Sequence, residues 1–166
     1  GGAVHLLADG GNIKVDGSIT ANSTGKDKQN QPRKGGDIVI GRDEETGALA
    51  KATDVSGAKL ESQGGFVETS ASQVQIQDSA RVITLSPKGK AGTWLVDPID
   101  FSIDSGLGSL TSSGIGAGTL ENNLANTSVS ISTDNLASGS GGDLNVNASV
   151  TWSANTTLTL SAYKNV

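Results

Sequence analysis

Three carboxylates, Asp97, Asp100 and Asp104, crowd around Pro98 in "VDPIDFSID". Carboxylates aligned on one strand face, joined by Arg or Lys and often by calcium, are the equipment of polysaccharide-cleaving enzymes. The Asp-Pro pair argues for a plainer role. A residue before proline is driven to extended geometry, so the stretch reads as the start of a turn. His5, the single histidine, alternates with Val4 and Leu6 and has no Ser or Cys nucleophile signature near it. It reads as an exposed or capping strand residue. One His and no Cys exclude imidazole clusters and thiolate metal sites. The "GSGGD" from Gly139 matches part of a calcium-binding nonapeptide, but it occurs once, without the tandem repetition such sites need. The expectation is no enzyme, no metal and no cofactor.

Binding chemistry is better represented. Lys26, Lys28, Arg33 and Lys34 gather in "TGKDKQNQPRKGG", a stretch without an apolar residue, and Arg42 opens a second charged stretch. Both read as surface loops and as the first candidates for contact with a partner, the basic one with an acidic glycan. Asn22, Asn126, Asn147 and Asn155 each begin an Asn-x-Ser/Thr triplet and are candidate glycosylation sites, although a chain rich in Asn, Ser and Thr makes such triplets by chance. Trp94 and Trp152 sit in alternating stretches that favour inward placement; exposed, either would be a sugar-stacking platform. The net charge of −5 and the lack of a basic stripe with interleaved aromatics argue against nucleic acid. No run of about 18 apolar residues is present, so no membrane insertion is expected. A first residue other than Met and the absence of Met throughout suggest a piece of something longer.

The elements that must carry these residues are strands. Hydrophobic residues make up 34% and aromatics 3%, so any core is a lean one of Val, Ile and Leu in a matrix of Gly, Ser, Thr and Asn. The apolar residues recur at every second position in strokes of about four to six residues, bounded by Gly, Asn, Asp and Ser, as in "GGDLNVN" and "TTLTLSA". No stretch sustains helical periodicity over three turns; only "AGTLENNLAN" and "EETGALAKA" admit a short helix or helical turn.

Internal echoes decide between all-β architectures. "GGNIKVDGSIT" from Gly10 and "GGDLNVNASVT" from Gly141 align without a gap, and "GGDIVIG" and "GGFVETS" again set a Gly pair before an alternating strand. Short strands, lean core and repeated glycine corners predict an all-β, right-handed parallel β-helix (a β-solenoid) rather than a sandwich of longer hairpins. About eight coils at ~4.8 Å would give a rod of about 40 Å. The whole chain, 1–166, reads as one segment, with loop excursions near 23–36, 41–63 and 104–127. The alternating close, Leu144 to Leu160, leaves an uncapped edge strand and suggests that a further coil follows.

Three of these stretches, "GGFVETS", "GKAGTWLVDPIDFSI" and the Asn-rich "VTWSANTTLTLSA", occur in the order in which similar ones occur in one bacterial family. The chain resembles the filamentous-haemagglutinin-like exoproteins of Gram-negative bacteria, particularly the high-molecular-weight adhesin branch of two-partner secretion. The stretch from Ser105 to Leu124 matches least. The resemblance implies a β-helical segment of a secreted, cell-surface adhesin, a host receptor or glycan as partner, hexose addition at some Asn residues, and an outer-membrane two-partner transporter for the full-length protein. The Asn-Pro pair of the family's secretion motif is missing, which implies that this segment lies downstream of it. A passive stalk of a contact-dependent toxin-delivery protein is the alternative, and a polysaccharide-cleaving β-helix a more distant one.

Overall fold

The computed structural model describes residues 2–133 and 141–166. The chain advances in passes, of which the first three visit three sheets in the same order. The first pass is β1 (Val4–Leu6), β2 (Asn12–Lys14) and β3 (Ser18–Thr20). The second is β4 (Asp37–Ile40), a hairpin of β5 (Arg42–Asp43) and β6 (Ala48–Leu49), then β7 (Ala52–Asp54) and β8 (Lys59–Glu61). The third is β9 (Phe66–Ser70), β10 (Gln73–Ile76) and β11 (Arg81–Ile83). The fourth is β12 (Thr93–Asp97), β13 (Phe101–Asp104), β14 (Gly114–Gly116) and the helix α1 (Ala117–Leu124). β15 (Ser128–Ser132), β16 (Leu144–Val146) and β17 (Leu158–Ser161) complete it.

Among the described residues the first sheet has the order β1-β4-β9-β12-β15-β17, the second β16-β13-β14-β10-β7-β2 and the third β11-β8-β3. Every neighbour pair in these three sheets is parallel. The protein is therefore mostly β and built on parallel pairing, with strands stacked at the usual ~4.8 Å. Six strands in the first sheet mean fewer passes than the eight expected, because loops, a hairpin and a helix take residues that the estimate had assigned to coils.

Register explains how a lean core suffices. In the first sheet Val4, Ile38, Val67, Trp94, Val129 and Leu158 lie in one column, and Leu6, Ile40, Thr69, Val96, Ile131 and Leu160 in the next. In the second, Ile76, Ile115, Ile103 and Val146 align; in the third, Ile19, Leu60 and Val82. The buried members form one contiguous core. Each fully buried Ile, Leu or Val contributes about 1.5–3 kcal/mol, so many small side chains replace a few aromatic ones.

Where the third sheet hands over to the first, the backbones touch. A Cβ added to Gly65 would lie 2.4 Å from the Gly36 carbonyl oxygen, and one on Gly92 1.9 Å from that of Gly65. Glycine is required there by proximity.

The expectations are met unevenly. "AGTLENNLAN" forms α1, whereas "EETGALAKA" contributes only a single turn, closed by the Gly47 N–H donating to the Asp43 carbonyl, at the tip of the antiparallel hairpin from Arg42 to Leu49; β7 and β8 follow within the stretch expected as one excursion, 41–63. Of 104–127, residues 105–113 form a loop and the rest is β14, α1 and the approach to β15. Trp94 is fully buried, with its Nε1–H donating to Thr69 Oγ1 at 3.1 Å. Trp152 is 38% exposed, contrary to its inward expectation.

The reason for that difference is α1. It covers β11, the edge of the third sheet, so the later stretch Ser149–Trp152 has no strand to pair with. One buried side chain makes the covering possible. Asn123 Oδ1 accepts from the Val82 N–H at 2.7 Å, while its Nδ2 donates to the Ala80 carbonyl at 3.1 Å and the Thr119 carbonyl at 2.9 Å. The amide thus does for β11 what the peptide group of a neighbouring strand would do.

Candidate functional site

Two loops emerge side by side between the third sheet and the first. The earlier one, between β3 and β4, closes through a Lys26–Pro32 bridge. Asp27 Oδ1 accepts from the N–H groups of Gln29 and Gln31, Asn30 takes φ = 61°, and Arg33 Nε donates to the Lys26 carbonyl at 2.9 Å. The later one, between β11 and β12, is a tight turn in which the Ser86 N–H donates to the Lys90 carbonyl and Gly89 takes φ = 79°.

The cleft between them has a volume of about 450 Å³ and is lined by Arg33 and Lys34 on one side and Lys88 and Lys90 on the other. Gly64, Gly65, Gly92 and the half-buried Phe66 form its floor, and no carboxylate lines it. The floor N–H groups of Gly64, Gly65 and Gly92 are already donated to Thr84 and Ser62 carbonyls. An anionic ligand would therefore be held by the basic side chains, with Phe66 offering an apolar face to a ring. At a solvent-exposed site each unit charge pair gives about 1 kcal/mol at 4 Å, so the attraction is additive and sensitive to salt.

The structure brings together only part of the basic group expected from the sequence. Arg33 and Lys34 line the cleft, whereas Lys26 and Lys28 belong to the outer part of their loop. Arg42 is elsewhere: its guanidinium pairs with the Asp97 carboxylate at 2.7 Å and both are largely buried. Lys88, Lys90 and Phe66 were not singled out from the sequence. "SPKGK" carries the signal of a Lys-bearing Pro-Gly turn, but nothing local indicates that it meets a loop more than one pass earlier.

The acidic residues are occupied in holding the backbone. Asp100 Oδ1 accepts from the N–H groups of Gly142 (2.8 Å) and Asp143 (2.9 Å). Asp104 accepts from Asn147 Nδ2 and, through Oδ2, from Ser109 Oγ and the Leu110 N–H, fastening the loop 105–113. Among the described residues no three His, Cys, Asp or Glu side chains are gathered as metal donors. His5 lies exposed in β1. The "GSGGD" stretch lies partly outside the described residues.

The hydrogen bond from Asn147 is the first cause holding the Asp104 carboxyl below the ordinary carboxylate range; the bonds from Leu110 and Ser109 add to it, against the opposing effect of burial. A depressed folded pKa stabilises the native state above the unfolded value, and that stability is lost as pH falls through the folded one. Asn147→Ala is expected to cost about 1 kcal/mol at neutral pH. Urea unfolding followed from pH 7 to pH 3 should show the variant losing less stability on acidification than the parent.

The four glycosylation candidates differ in access. Asn22 is committed at both ends of its amide, donating to Glu61 Oε1 and accepting from the Gln63 N–H, each at 2.8 Å. Asn147 donates to Asp104, and Asn126 donates to the Asn122 carbonyl at 3.3 Å. Asn155 is exposed.

The fold defines a mostly β protein of stacked parallel strands, with a basic cleft on its flank. Comparison of the chain with protein-family models, with curated protein sequences and with solved structures finds no match.

Proposed function

We propose that the chain is a right-handed parallel β-helical segment of a secreted bacterial surface adhesin of the filamentous-haemagglutinin-like type, and that it attaches to acidic glycans of a host surface. The observation that carries the proposal is the cleft lined by Arg33, Lys34, Lys88 and Lys90, on a stack of parallel strands. The ordered stretches "GGFVETS", "GTWLVDPID" and "VTWSANTTLTLSA" support the family reading. Affinity per site is modest, and attachment grows through many copies displayed on one surface.

The test uses beads coated with the protein and a fluorescent sulfated dextran, with neutral dextran as control. Capture of the sulfated polymer should fall about tenfold in a Lys88→Glu, Lys90→Glu double variant, the loss of two favourable charge contacts and the gain of two repulsive ones. Both substitutions fall on an exposed turn, so thermal unfolding should stay unchanged. Equal capture by the double variant would remove the cleft as the site. Absence of capture by the parent would favour a passive stalk.

A further inference from the structure

A second surface has the chemistry of a different ligand. Trp152 lies in a shallow groove with Arg81 of β11, Glu121 and Asn122 of α1, and Asn126 just beyond that helix. The residue as a whole keeps 38% of its surface exposed, while its Nε1–H turns back to donate to the Thr156 carbonyl at 3.2 Å. The polar edge of the ring is thus satisfied internally.

The chain on either side of the ring is tied to the helix. Glu121 Oε1 accepts from the Thr151 N–H at 2.8 Å and from Thr151 Oγ1 at 3.3 Å, and Thr156 Oγ1 donates to the Leu124 carbonyl at 2.5 Å. An exposed indole held in this way has already lost much of the freedom that binding would otherwise remove.

We infer that this groove is a binding site for a neutral hexose-based glycan, with the C–H face of one pyranose ring stacked on Trp152. Aromatic rings attract weakly positive C–H groups to their negative faces, and sugar hydroxyls require donors and acceptors at the rim. Arg81 supplies donors, Asn122 and Asn126 supply both, and Ser153 adds a hydroxyl. The single cation and single carboxylate lining the groove cancel, which favours a neutral ring over the anionic ligand of the basic cleft. This site stands independently of that cleft.

The two tryptophans make the test direct. Trp94 is fully buried, so collisional quenching by acrylamide reports on Trp152. Neutral tetrasaccharides of glucose, galactose and mannose are titrated separately to millimolar concentration. At least one is expected to shield Trp152, and Arg81→Ala to move the shielding to about fivefold higher concentration, as loss of a charged hydrogen bond would. The Trp152→Ala variant should lose the retention that the parent shows on the same immobilised sugar while keeping the parent's unfolding temperature. Sulfated dextran bound in the basic cleft should leave the quenching unchanged. No shielding by any of the three sugars, or undiminished retention of Trp152→Ala, would overturn the assignment whatever the fate of the cleft.

Discussion

Trp94→Ala is expected to destabilise the protein by about 3–5 kcal/mol, the range for removing a large aromatic side chain from a close-packed core. Trp94 stands in the first-sheet column between Val67 and Val129 and is the bulkiest fully buried residue. Neighbours above and below are locked in hydrogen-bonded register and cannot collapse into the void, which places the effect toward the upper end. Trp94→Phe separates the terms: most apolar volume stays, but Thr69 Oγ1 loses its donor, and the expected cost falls to about 1–3 kcal/mol. Urea unfolding followed by far-ultraviolet circular dichroism measures both. An alanine variant within about 1 kcal/mol of the parent would contradict the tight packing described for this column.

Asn123→Leu should cost about 2–5 kcal/mol although leucine has nearly the size of asparagine and greater apolarity. The substitution leaves the Val82 N–H and the Ala80 carbonyl without partners, each worth about 1–3 kcal/mol when buried. Asn123→Asp sharpens the argument. Its carboxylate still accepts from Val82 but faces the carbonyls of Ala80 and Thr119 with no donor, so it should be at least as destabilising at neutral pH. Amide exchange adds a local readout. Protection of the Val82 N–H should be lost in the leucine variant and retained in the parent.

Alternation gave the strands, and columns such as Ile38–Val67–Trp94 follow wherever alternation meets regular return of the chain. The Gly pairs announced corners but not which corner. Gly35-Gly36 and Gly64-Gly65 open strands of the first sheet, whereas Gly10-Gly11 and Gly141-Gly142 precede β2 and β16, the two opposite edges of the second. The same dipeptide serves both for different reasons: close approach of neighbouring atoms at Gly35 and Gly65, and a positive φ at Gly10, Gly141 and Gly142.

The exposure of Trp152 was illegible for a different reason. The alternation around it matches that of an inward strand, and only the helix placed over β11 removes the partner such a strand would need. The basic cleft was half legible: Arg33 and Lys34 are neighbours in sequence, but Lys88 and Lys90 reach them through the return of the chain to one corner.

The order of the second sheet has a mechanical meaning. β13 and β14 are joined by the loop 105–113, yet both run parallel and lie side by side, with β14 against β10 and β13 against β16. The chain steps ahead, turns back and fills the row it skipped, while the first sheet passes from β12 to β15 in a single step. In the language of crystals this is an edge dislocation, an additional row on one face, about 4.8 Å thick, that the opposing face lacks. Under tension such a row concentrates shear, and the fastener across it is the Asp104 carboxylate, which holds both the turning loop and Asn147. The stack of parallel strands thereby acquires one distinct address where pulling and acidification act on the same group.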